Sequence, residues 1–571
     1  MQAVMSELAP YLRMLAHYRG RLALGALLML ATLAAGIGLL ALSGWFITAT
    51  GVTALLLAAG TAARLEVFLP GAGIRFFALA RTAARYFERI HNHDAVLRLL
   101  ADLRTRVFAR LTPLDPAALA RFRSATILNR LTADIDALDS LYLRCLAPPL
   151  VALLGIMGVG ALIALFDAST AALASVFLLV GMGAVGGIAA ARGIRLGEAV
   201  TARLEHAREA SMDLVRGLAE LRAFGALARQ REAIDACNEE LLVHQIRAAR
   251  LTAAGEAAAG LVVHAGLALT LLLAVGLHAG GAIDGPIIAL MALAVLALAE
   301  GLAPVPGGLL QLGRVRAAAR RLNHQTAAEA LVIDPPVPQP IPAGNDLTFE
   351  DVRVHHGHTT EPALVDFCLH VGAGERVALL GPSGCGKSTV VDLAARLRDP
   401  DHGSVRLGGE NLRTLELAAL HGRISYLTQR TEILADSIAA NLRLARPDAD
   451  NRALWDALER VDLADFVDSL PDGLGTWVGE NGMRLSGGQS RRLALARIIL
   501  RDTPIVLLDE PLAGLDAATR ARVAHNLEDW LTGRTALLCA HEAGALPGAD
   551  RHVHLTPGDH PGDSDADPPA L

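Results

Sequence analysis

Five apolar runs, Leu22–Leu42, Leu146–Phe166, Ala171–Ala191, Ala257–Leu277 and Pro286–Leu312, fall within the first 315 residues of a 571-residue chain. Each matches the roughly 20 residues a helix needs to cross a bilayer. A sixth run, around Leu55–Ala80, is interrupted by Arg64, Glu66 and Arg75, and the working count is six. The first run is too long for a signal peptide's apolar core and lacks a small-residue cleavage site, so it reads as a retained helix. With 53% hydrophobic and 19% charged residues, a disordered chain and an ordinary soluble enzyme are both poor readings.

Arginines set the orientation. Residues 81–144 hold 11 and residues 193–249 hold eight, while the connections near Asp167 and His278–Asp284 hold none. The positive-inside rule places both long segments and both termini on the cytoplasmic side. Their mixed-charge helical periodicity predicts membrane helices that continue well beyond the bilayer. Residues 1–330 carry 30 Arg against 23 acidic residues, whereas residues 331–571 carry 22 basic against 35 acidic. The two halves therefore occupy different surroundings. No basic cluster with interleaved aromatics supports nucleic-acid binding. Cys145, Cys237, Cys368, Cys385 and Cys539 have no metal-type spacing and read as free thiols.

After the helical region 1–325, a proline-rich segment, 326–345, predicts a stiff linker. Strand-like and helical runs then alternate through 346–555, an α/β pattern, and an acidic tail, 556–571, has too few apolar residues to order itself. Within the α/β part, Gly381, Pro382, Ser383, Gly384, Cys385, Gly386, Lys387, Ser388 and Thr389 fit G-x-x-x-x-G-K-[ST] between the apolar strand Val377–Leu380 and a helical run. Such a loop wraps backbone N–H groups around the phosphates of ATP, sends its lysine to the β and γ phosphates and offers Ser388 to Mg²⁺. Lys387 is the only lysine among 52 basic residues. A slim, compact charge is needed at this position, and a planar guanidinium would not serve. The strand Ile505–Leu508 delivers Asp509 towards Mg²⁺ and Glu510 as a general base for the attacking water.

With Leu485-Ser-Gly-Gly-Gln489 added, the three motifs resemble the ATP-binding-cassette (ABC) ATPases, for which that pentapeptide is the signature. The resemblance implies that Gln429 is the Q-loop glutamine that senses the membrane domain and joins Ser388 and Asp509 around Mg²⁺, partly through water, that Asp516 closes the D-loop Ala513–Asp516, and that His541 is the switch histidine at the γ-phosphate. It also implies that Ser486, Gly487, Gly488 and Gln489 close on ATP held by another subunit's phosphate loop, so that one chain makes half of each site. One position departs: His356 stands where the family stacks adenine on a larger aromatic ring, and a weaker adenine contact is expected.

Six spans followed by one ATPase domain resemble half-transporters of the type IV exporter architecture, in which two chains pair. Asn129–Leu141 and Met212–Phe224 stand where coupling helices are expected, with a solvated charged helix as the plainer reading of each. Leu42-Ser-Gly-Trp45-Phe46, Phe68-Leu-Pro-Gly-Ala-Gly-Ile-Arg75, Arg81-Thr-Ala-Ala-Arg85-Tyr86-Phe87-Glu88-Arg89 and His93-Asp94 resemble the CydC-type subunits of the CydDC family. That resemblance implies a heterodimer with a CydD-type half-transporter in the bacterial inner membrane, exporting cysteine or glutathione and supporting cytochrome bd assembly. A haem transporter or a haem-responsive regulatory ATPase is the alternative. The family's association with b-type haem makes His93 the candidate axial ligand, with Tyr86 two helical turns earlier; a histidine satisfied by water or Asp94 is the other reading. Charges inside spans are functional candidates. Arg75 is expected to meet a cargo carboxylate and Glu300 its ammonium, unless the two simply pair between helices.

Overall fold

The computed structural model describes residues 2–114, 127, 130–327, 330–355 and 362–556. The described residues form two compact units, one of 2–113, 127 and 130–327, the other of 330–355 and 362–556 together with Leu114.

The first unit is helical: α1 (Gln2–His17), α2 (Arg19–Ala58), α3 (Phe68–Leu111), α4 (Leu131–Ala164), α5 (Ala168–Arg216), α6 (Leu218–Ala223), α7 (Leu227–Ala279), α8 (Gly285–Leu310) and α9 (Leu312–Thr326). Among the described residues, α2, α4, α5, α7 and α8 are long and apolar enough to cross a membrane. Their outward faces stay greasy: Leu55, Leu261 and Leu272 are all more than two-thirds exposed, as side chains that face lipid are. This is a multi-pass membrane protein. At 1.5 Å per residue, α5 and α7 are about 75 and 80 Å long, far beyond one bilayer, and the six-residue α6 joins them.

Interior contacts rely on glycine. A Cβ on Gly313 would lie 2.3 Å from the Gly193 carbonyl oxygen, and one on Gly308 would lie 2.2 Å from that of Arg144. Small residues let helix backbones approach closely where no hydrophobic driving force separates protein from lipid.

The second expected span needs correction. Leu55–Ala80 is not one segment, because α2 runs on to Ala58 and α3 starts at Phe68. Between them, Gly60 adopts φ +78°, and Glu66 accepts the amide N–H groups of Phe68 at 3.0 Å and Leu69 at 3.3 Å. Those amides are the unpaired donors of a helix start. Of the charges that interrupted the apolar run, Arg64 and Glu66 thus belong to the connection and the helix start, whereas Arg75 lies within α3, which at 44 residues is the sixth long helix.

The second unit holds two sheets. A parallel sheet has the order β6 (Ile424–Leu427), β7 (Ile505–Asp509), β8 (Thr535–Ala540), β3 (Arg376–Leu380), β9 (Arg551–His554). An antiparallel sheet runs β2 (Pro362–Val371), β1 (Leu347–His355), β4 (His402–Leu407), β5 (Glu410–Asn411). β7 and β8 are buried along their whole length, as parallel strands covered on both faces should be. The proline-rich segment does not hang free: Gln339 donates its amide to Thr414 O at 2.8 Å, and Arg396 reaches Ile333 O at 2.9 Å. His356, Asn129 and residues 557–571 lie outside the described residues.

Candidate functional site

Strand register alone gathers the site. Leu380 pairs with Ala540, Asp509 with Cys539, and Leu427 with Leu508. The residues that follow these strand ends, Gly381, Gln429, Glu510 and His541, therefore emerge on one rim, the carboxyl edge where parallel sheets bind ligands. There Gln429, Glu510 and His541 line a cavity of about 340 Å³ together with Ser383, Gly384, Gly386, Lys387, Ser388, Thr389, Asp509 and Ala363.

The loop from Gly381 to Gly386 enters α10 (Lys387–Ala394) by a path that only glycine takes easily. Gly386 has φ +99°, and a Cβ there would sit 2.8 Å from the Ala363 carbonyl oxygen. Lys387 is buried and donates to Gly381 O at 2.6 Å and Pro382 O at 2.8 Å, with Cys385 Sγ 3.7 Å away. Its ammonium is thus anchored on the loop that surrounds the phosphates. Ser388 Oγ donates to Asp509 Oδ2 at 2.6 Å. This hydroxyl–carboxylate pair is the oxygen donor set that Mg²⁺ prefers. Asp509 is 1% exposed; burial pushes its carboxyl above the usual range, against the pull of the Ser388 hydrogen bond.

Glu510 departs from the strand with φ +51°, a left-handed conformation that costs a non-glycine residue about 1–3 kcal/mol. Its N–H is fixed to Cys539 O at 2.9 Å. The turn aims the carboxylate into the cavity, where Oε1 accepts from Gln429 Nε2 at 3.3 Å and lies 3.1 Å from His541 Nε2. His541 Nδ1 is 3.2 Å from Gly381 O. One carboxylate is so held between two polar side chains at the cavity, where a general base for a bound water is wanted.

Ser486–Gln489 and Asp516 stand apart from this cavity. Ser486 caps α11 (Gly487–Arg501), accepting from the Gln489 amide at 3.2 Å, while Gln489 Oε1 accepts the Ser486 amide at 2.7 Å. This reciprocal capping box leaves Gly487 and the helix start open to a ligand from outside the chain. Asp516 likewise caps α12 (Ala517–Leu531) through the Thr519 amide at 3.0 Å.

The sequence reading missed Arg491. It is 5% exposed and reaches from α11 to both catalytic loops. Nη1 donates to Thr428 O at 2.6 Å, Gln429 O at 3.2 Å and Thr431 Oγ1 at 3.0 Å; Nη2 donates to Asp509 O and, at 2.9 Å, to Glu510 O. Burial lowers the pKa of this guanidinium, opposed by Asp509 and Glu510. A signal was present: Arg491 shares a helix face with the buried Ala494, Leu495 and Ile498, an odd place for an unpartnered cation.

In the membrane unit, Glu300 pairs with Arg81 and Arg85, not with Arg75, which is exposed on α3. The expected Arg75–Glu300 alternative is corrected accordingly. His93 is exposed, and Tyr86 is 61% exposed on the same helix. A porphyrin needs apolar walls on both faces, and around exposed His93 this chain offers a single helix face, with Ile90 and Leu97 exposed beside it. The residues present do not fit an enclosed haem in this chain.

Residues 26–298 match the ABC transporter transmembrane region and residues 364–513 match the ABC transporter family. The glutathione/L-cysteine transport system ATP-binding/permease protein CydC of Escherichia coli (strain K12) is 38% identical, over 95% of this chain and 94% of its own. The corresponding CydD protein of Bacillus subtilis (strain 168) is 30% identical over 86% of each chain. Among solved structures, a bacterial Atm1-family ABC exporter with ATP bound shares the fold with a TM-score of 0.82, over 95% of this chain and 94% of that one, at 22% identity.

Proposed function

The chain belongs to the ABC transporter family as a CydC-type ATP-binding/permease subunit, and from this premise we propose that it is one half of a heterodimeric exporter of small thiols, glutathione or cysteine, in a bacterial inner membrane. ATP hydrolysis coupled to transport is the family's chemistry. The thiol cargo rests on one observation, that the 38% identity to the glutathione/L-cysteine transporter spans 95% of the chain and so includes the membrane half, where cargo is chosen. The CydD relative supports a CydD-type partner.

Hydrolysis follows from the cavity's geometry. Lys387 and the loop amides bind the β and γ phosphates, and Glu510 takes a proton from the attacking water. Gln429 and His541 hold that carboxylate, and His541 steadies the γ-phosphate. Ser388 and Asp509 would hold Mg²⁺, which when bound offsets phosphate charge. Ser486 and Gly487–Gly488 complete the partner's site, so ATP draws the two subunits together. Residues 218–223, at the far end of the two longest helices, are the candidate coupling helix.

The test is ATP-dependent accumulation of labelled glutathione and cysteine in inside-out vesicles carrying this chain with its partner. Accumulation of either thiol is expected. ATP hydrolysis that moves neither would overturn the cargo assignment.

A further inference from the structure

Glu300 lies inside the last apolar span, α8, and two arginines of α3 claim it. Arg81 Nη2 is 2.7 Å from Oε2, and Arg85 Nη2 bonds Oε1. The cluster packs against a third helix at Gly36 of α2, where a Cβ would lie 3.6 Å from Glu300 Oε2 and 3.7 Å from Arg81 Nε. Three helices thus bring one carboxylate of the apolar span α8 and two guanidiniums of α3 together, with a net charge of +1; the structure thereby takes Arg81 and Arg85 out of the wholly cytoplasmic segment that the arginine count implied.

The cluster is not sealed. The side chains of Arg81, Arg85 and Glu300 are 33%, 47% and 37% exposed. An uncompensated cation facing hydrocarbon is costly, so such groups face a watery path or a polar ligand. Each guanidinium carries five N–H donors, and Glu300 occupies only part of that capacity. An arginine fork matches a carboxylate in two parallel bonds.

We propose that Arg81 and Arg85 form an anion subsite for a carboxylate of the exported thiol, with Glu300 as the resident anion that holds both guanidiniums in position. Resting on the thiol-export reading, this assigns the site to an anionic thiol peptide. Glutathione has two carboxylates and one ammonium and so a net negative charge at neutral pH, whereas cysteine is a neutral zwitterion. The excess positive charge favours the first. Exchange of one carboxylate for another on the same guanidinium also lets cargo bind without stripping a bare charge of its partner, and lets it leave again.

The experiment measures concentration-dependent uptake of labelled glutathione and of labelled cysteine by the whole complex in proteoliposomes. Replacing Arg81→Gln and Arg85→Gln together should raise KM for glutathione about tenfold or more, the effect of losing charge-assisted bonds, and change that for cysteine much less. Arg81→Lys with Arg85→Lys, which keeps the charge, should retain the preference for glutathione. Glu300→Gln removes the competing carboxylate and should lower KM for glutathione. A purely structural cluster predicts instead that all three variants weaken both thiols alike, and that result, or unchanged KM values, overturns the subsite. If the wild-type complex moves no thiol, the export reading falls by itself. The subsite is then judged by equilibrium binding of labelled glutathione to the purified complex, where equal affinity in wild type and the double glutamine variant would overturn it.

Discussion

The two halves of this chain treat charge in opposite ways. In the nucleotide domain the functional ions are buried and fixed: Asp509 is 1% exposed and bonded to Ser388, Lys387 is 6% exposed on two loop carbonyls, and Arg491 is 5% exposed across two loops. In the membrane half, Arg81, Arg85 and Glu300 pair with one another yet stay partly open. A motor must present the same geometry to every ATP, so its charged groups are held from behind. A cargo site must exchange partners twice per cycle, and its charges keep donors to spare.

Breaking the motor side should have the largest effects. Glu510→Gln removes the base and should slow hydrolysis at the site built on this chain's phosphate loop by about 10²–10⁴-fold, with ATP still bound; phosphate release and nucleotide retention read the two separately. Next comes Arg491→Ala, which strands the carbonyls of Thr428, Gln429, Asp509 and Glu510. It should lower the stability of the nucleotide domain by about 3 kcal/mol, measured by denaturant unfolding. Arg491→Lys should restore only part of that, since a point charge cannot reach both loops.

Smaller effects sharpen the same contrast. Lys387→Arg preserves charge but not shape, and should weaken ATP binding by about tenfold or more in a nucleotide titration. Asp509→Asn tests the cost of a buried carboxylate. Because burial holds this carboxyl above the usual range, the stabilisation from its neutral form is fully present below the unfolded value near 3.9 and is lost as pH rises through the raised one. At neutral pH the nucleotide-free Asn variant should therefore melt a few degrees higher than wild type, and the gap should close in acid.

The motor was readable from the sequence because its parts are contiguous. Each phosphate-site motif follows a strand, and once those strands align in one parallel sheet their ends must meet, which is how Gly381, Gln429, Glu510 and His541 come to share a rim. What escaped depends on distant partners. Arg81 and Arg85 precede Glu300 by 219 and 215 positions, and nothing in local spacing favours them over Arg75. Arg64 and Glu66 read as flaws in a span because hydropathy does not distinguish a charge in a helix from a charge capping one. Arg491 could have been found, as a cation on an apolar helix face, had that face been traced.

The central claim, that hydrolysis at Glu510 drives a thiol across the membrane, is tested most directly by the initial rate of ATP-dependent glutathione uptake into inside-out vesicles of the complex, wild type against Glu510→Gln. Uptake should fall to the level seen without ATP. Uptake continuing at the wild-type rate in the variant would contradict the account.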